Sequence, residues 1–281
     1  MTGNGGGFVH TTSRMERYHS AEQEDPQQPS PTKYQRRPAL GRWVAFLILL
    51  LTVAVGLRLT LFNANYVAGV VSRSTTGEKV MANVNSDLDD LGVSGDPVTA
   101  AVIQPYLEQG IAQLYGQSAT TPDSSALSTA ITTQAQTLGV TASATLVNKI
   151  ANQAQKRAVA AFKTPAMQTV GWKIQRAQRL DFWLLVATLL LLVVTTIYAL
   201  GVHHFFGSLG PGLTLGGFMG AIVGVVGFLV APAVVTATTT TLTSLLTSVI
   251  RSGLGVIIFA GAAEFVIGLV VLLGHRTFRK S

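Results

Sequence analysis

A chain of 281 residues that is 48% hydrophobic and only 12% charged, with a mean hydropathy of +0.42, lies outside the usual range of soluble proteins. Its net charge of +7 comes without a zinc-finger spacing or an aromatic-interleaved basic stripe, so nucleic acid is not an expected partner. It has no cysteine, which excludes disulfides, thiolate metal sites, a thiol nucleophile and a lipid-modified cysteine.

Residues 1–42 open the chain with a polar stretch broken by Gly5 to Gly7 and the run Asp25 to Pro31. They hold too little apolar surface to offset the entropy of ordering, which predicts a disordered cytoplasmic tail. Residues 43–62, Trp43 to Phe62, are almost uniformly apolar and long enough at ~1.5 Å per residue to cross a ~30 Å hydrocarbon core. Lys33, Arg36, Arg37 and Arg42 upstream resemble the charged region of a secretory signal. The length of the run, Arg58 near its far end and the lack of a small-x-small site in Asn63 to Ala68 favour a retained span.

Residues 63–180 then read as a helical domain. Val67, Val70, Val71, Val80, Met81, Val84, Leu88 and Leu91 recur at three and four, predicting one helix running out of the first span until Gly92 stops it. Asp96 as cap and Pro97 in a first turn predict a second helix, with a kink or break at Pro105. Leu127, Ile131, Ala135 and Leu138 mark a third helix closed by Gly139. Leu146, Ile150, Ala154, Ala158 and Phe162 mark a fourth, closed near Pro165, and residues 166–180 form a stalk.

Three further spans are expected at 181–202, 213–234 and 253–274, joined by a short cytoplasmic loop at 203–212 and a Thr-rich external loop at 235–252, in which Thr236 to Thr247 read as an exposed linker or a short amphipathic helix, with a tail at 275–281. The predicted fold class is an all-α membrane protein: four transmembrane helices with a helical-bundle extracytoplasmic domain inserted between the first and second spans. An even number of spans puts both tails on one side. Both are basic, the last residues supplying His275, Arg276, Arg279 and Lys280, so both termini are expected in the cytoplasm of a bacterial plasma membrane.

Few residues have the makings of chemistry. Glu264 is an acidic residue deep in the fourth span, where an ionised side chain costs ~2.5–3.5 kcal/mol, and Arg58 is its expected partner. The pair reads equally as a transport-related site and as a structural lock. Gly216, Gly220 and Gly224 recur at intervals of four in the third span and predict a smooth face for helix packing, within one chain or between copies. Lys173, Arg176 and Arg179 cover an arc of ~120° on the stalk, and are candidate contacts for anionic lipid headgroups beside their plainer role as interfacial anchors.

Asn83, Asn85 and Asp87 alternate as at the start of a calcium loop, but Leu88 and Ser94 stand where glycine and glutamate belong, so a solvated helix end is the better reading. His203, His204 and His275 read as an interfacial belt rather than a metal site.

No phosphate-binding loop, nucleophile elbow, zinc-protease motif or paired carboxylates occur, and none of the five histidines falls within 63–180. The expectation is therefore a non-enzymatic protein without cofactors or metal, whose external domain binds a partner or ligand for envelope organisation, sensing or regulation. Its partners are the lipid bilayer and either a second copy or another membrane protein. The order of one span, an external domain and three more spans resembles the layout of the FtsX and MacB-type permease family, which implies a transporter subunit working with a separate ATPase. An oligomeric channel built on the third span is the remaining alternative.

Overall fold

The computed structural model describes residues 38–118, 121–139, 142–201, 205–235 and 240–278. Among these residues there is no strand. In chain order the helices are α1 (Pro38–Leu59), α2 (Ala64–Val71), α3 (Thr75–Asp89), α4 (Ala100–Leu114), α5 (Ser125–Thr137), α6 (Ala144–Ala161), α7 (Pro165–Gly201), α8 (Phe205–Val234) and α9 (Thr240–Phe278). Four stretches are long and apolar enough to cross a membrane: Ala39–Leu59, Pro165–Gly201, Leu209–Val234 and Thr240–Gly274. The tail reading for residues 1–42 falls almost wholly outside the described residues, as do the side chains of His203, His204 and His275.

The stretch between α1 and α7 differs from expectation at three points. The helix predicted to run unbroken to Leu91 is two helices. Asn63 caps α2 by accepting from the N–H groups of Asn65 and Tyr66, and the chain turns at Ser72–Ser74 before α3 begins. Gly77 explains the turn's tightness: a Cβ there would run into the backbone of Val71 and Ser72. Asp96 is not a cap. It adopts a left-handed φ of 52°, and α4 starts later, after Thr99. Pro105 does not end α4, which continues to Leu114 with Ile103, Tyr106, Leu107 and Ile111 around it all in the core.

The periodic faces of α5 and α6 are buried as expected, through Leu127, Ile131 and Ala135 on one and Ile150, Ala154 and Ala158 on the other, and Gly139 closes α5 at a φ of 71°. Leu138 is the exception and remains exposed.

The stretches read as loops at 203–212 and 235–252 are largely helical. α8 begins at Phe205 and α9 at Thr240. α7 and α9, of 37 and 39 residues, are each over ~55 Å long, far more than a bilayer core needs. Their surplus turns join the core of α2–α6. Leu242, Leu245 and Val249 of α9 are buried in the same cluster as Val71, Val84, Leu107 and Ile150, and Met167 of α7 belongs to it too. The Thr-rich sequence concealed this because these buried apolar residues are interleaved with hydroxyl side chains. Tyr66 of α2 and Ser252 of α9 share a hydroxyl hydrogen bond of 2.7 Å at the same level.

Candidate functional site

The membrane helices meet at glycines. α8 and α9 form an antiparallel hairpin in which Gly217 and Gly261 face each other: a Cβ on Gly217 would stand 2.6 Å from the Gly261 carbonyl oxygen, and one on Gly261 would stand 2.6 Å from the Ala221 nitrogen. α1 lies across this hairpin. A Cβ on Gly216 would come within 2.8 Å of the Ala45 carbonyl oxygen, and one on Gly212 within 2.5 Å of Val44. Small residues allow this approach, and close approach maximises dispersion contact, the main attraction available between helices in lipid.

The expected stripe of Gly216, Gly220 and Gly224 is thus divided between neighbours. Gly216 serves α1, Gly224 approaches Ile258 of α9, and Gly220 has room for a methyl group, its nearest neighbour being a Thr52 carbon at 3.7 Å. These faces meet neighbours within the chain. Gly217, whose Cβ would meet the backbone of both Gly261 and Phe265, lies outside the four-residue spacing and was missed. Its one sequence signal is the Gly216-Gly217 doublet.

Beside Gly217 and Gly220 lies the polar centre of the bundle. The Thr52 hydroxyl is 2.7 and 2.6 Å from the two carboxylate oxygens of Glu264, and 2.9 Å from the Ile48 carbonyl oxygen one turn back on α1. Thr52 is buried, so a single hydroxyl with one proton ties α1 to α9 across the bundle. The expected partner of Glu264 is therefore corrected: it is Thr52, not Arg58. Arg58 is turned the other way. Its Nε is 3.3 Å from Oδ2 of Asp181 at the head of the second span, and its guanidinium lies 5.4 Å from the centre of the Phe182 ring. The physical reason is one of level, since Arg58 lies near the end of α1 and Glu264 packs at the depth of Thr52. Asp181 itself is buried and was overlooked as a flank residue, although it is an acid set directly before a long apolar run.

A two-variant comparison separates the roles of this centre. Glu264→Gln keeps both a donor and an acceptor for Thr52 and is expected to fold within about 1 kcal/mol of the parent, whereas Thr52→Val strands the carboxyl group at a cost of about 1–3 kcal/mol. Thermal unfolding in detergent reads both. Equal losses would show that the hydrogen bond does not hold the helices.

Lys173, Arg176 and Arg179 do not form one site. The Arg176 guanidinium lies 5.9 Å from the centre of the Trp172 ring, Lys173 is exposed, and Arg179 alone borders a cavity of about 300 Å³ where α7 meets the end of α4. Tyr115, at the edge of that cavity, has its phenol pushed up by burial and stays protonated.

The calcium-like run is taken up structurally. Asn85 is buried, accepting from the Val98 N–H at 3.0 Å and donating to the Val98 carbonyl oxygen at 3.3 Å, while Asp87 pairs with Arg157 at 3.0 Å. Among the described residues no group of three or more His, Asp or Glu side chains is placed to hold a metal ion.

With this geometry in hand, comparison with known proteins adds nothing further: no family model, no curated protein and no solved structure matches the chain, so the permease resemblance remains one of span order.

Proposed function

We propose that this chain is a non-enzymatic multi-pass protein of a cell membrane, with α2–α6 outside the cytoplasm as a domain that binds a partner or ligand in envelope organisation, sensing or regulation. The observation that carries this reading is the continuity of α9. One helix contributes Leu242 and Leu245 to the core of α2–α6 and Glu264 to the centre of the membrane bundle, ~33 Å further along the same rod. An event that shifts the outer core bears directly on the α1–α9 contact, because a helix transmits displacement along its axis. Two features support the sidedness: the even number of candidate spans and the basic residues flanking both ends of the chain.

The lack of cysteine makes the test clean. Asn152, exposed on α6, replaced by cysteine is expected to react with a membrane-impermeant maleimide in intact cells, and Ser20→Cys only after permeabilisation. The reverse pattern overturns the sidedness. Photocrosslinking groups placed at exposed positions of α3 and α6 are then expected to capture a discrete protein or ligand in living cells; capture of lipid alone would remove the binding role.

A further inference from the structure

We propose that the cavity between the end of α4 and the head of the second span holds the phosphodiester headgroup of an anionic membrane lipid. Its position sets it at headgroup level. Gln117 on the α4 side donates to the Phe62 carbonyl oxygen, just past the end of α1, at 3.1 Å. On the α7 side the cavity ends at Phe182 and Trp183, where the apolar run of the second span begins. Interfacial aromatic and basic side chains mark this boundary in membrane proteins. At about 300 Å³ the cavity matches the lower end of small-ligand sites. Gly116 keeps it open on the α4 side: it turns the chain at a φ of 66°, and a Cβ there would press to 3.2 Å from the Gln175 carboxamide.

The lining asks for an anion. Arg179 borders the cavity, is exposed, and has no ion pair among the described residues. Gln178 also lines it, and its Nε2 is buried without an acceptor, a costly state for an amide donor. Gln175 is already engaged, donating to the Leu114 carbonyl oxygen at 2.9 Å. The nearby carboxylate of Asp181 is held by Arg58, so it leaves Arg179 unneutralised.

One guanidinium and one amide donor suit a singly charged phosphodiester; a doubly charged phosphate monoester would call for a second cation, and Lys173 and Arg176 do not line the cavity. The exposed rings of Phe182 and Trp183, packed edge to face at 5.6 Å, offer apolar surface to the glycerol and upper acyl carbons. A free ion would leave that surface in contact with water. This favours a lipid over inorganic phosphate as the source of the headgroup.

The test uses the full-length protein in detergent, with native mass spectrometry reading retention of phosphatidylglycerol or phosphatidylcholine, with or without inorganic phosphate. Phosphatidylglycerol is expected to bind about tenfold more tightly than phosphatidylcholine, and Arg179→Ala to weaken it about tenfold, as loss of one charge-assisted hydrogen bond does. Gln178→Leu keeps the bulk and removes the donor; it is expected to weaken binding several-fold, and it carries the test if Arg179→Ala fails to fold. Lys173→Ala is expected to bind as the parent does.

Unchanged binding in Arg179→Ala and Gln178→Leu overturns the site. Equal retention of the two lipids overturns the anionic headgroup. Displacement of the lipid by inorganic phosphate at equal concentration overturns the lipid assignment in favour of a free-anion site.

Discussion

Gly217→Leu is expected to unfold or disassemble the membrane bundle, with a loss of about 3 kcal/mol or more. The cause is backbone against backbone. A Cβ at 217 would stand 2.5 Å from the Phe265 nitrogen and 2.6 Å from the Gly261 carbonyl oxygen, and neither can swing aside as a side chain would. The two helices must separate, and with them goes the contact that seats Glu264 beside Thr52. Gly220→Ala is the matched control. Its site has room for a methyl group, so a change within about 0.5 kcal/mol is expected. Thermal unfolding of the detergent-solubilised protein, with its elution volume, checks both. A Gly217→Leu protein that melts with the parent would mean that α8 and α9 do not approach as described.

Arg58→Ala is expected to lose about 1–2 kcal/mol. Removing one member of a buried ion pair costs ~3–5 kcal/mol, and solvent reaching Arg58, whose side chain is 43% exposed, reduces that. The loss falls on Asp181, whose side chain is only 4% exposed and whose Oδ1 already lacks a partner. Asp181→Asn removes the charge that needs neutralising and is expected to cost less than Arg58→Ala. The double variant is expected to recover part of the Arg58→Ala loss, so the two substitutions are non-additive. Strict additivity in a double-mutant cycle would show that the 3.3 Å contact does not couple the first and second spans energetically.

The helical content and the four apolar stretches were legible because they rest on composition and period. Val80, Val84 and Leu88, or Ile150, Ala154 and Ala158, declare a buried face by spacing alone, and all six are buried. Glu264 was legible as the acid within an apolar run, and Gly216 and Gly224 as small residues at helical spacing. Element boundaries were less so. Asn63 and Ser72–Ser74 interrupt a pattern whose apolar period continues across them, because a tight turn that keeps both helices on one core preserves the period.

The choice of partners was beyond the sequence. Whether Arg58 meets Glu264 or Asp181 depends on the depth at which α1 crosses α9, a property of two helices separated by most of the chain. The close approach of Gly217 to Gly261 required the rotation of α8 about its own axis, which a uniformly apolar helix does not announce. The run Thr240–Arg251 could be recognised as part of α9 only once Leu242, Leu245 and Val249 had a core to enter. What the sequence determined by itself is the solvent each segment prefers, since transfer energies add residue by residue along the chain. What the tertiary structure decided is which polar groups and which glycines find one another, since those energies exist only for pairs and depend on distances of a few tenths of an ångström.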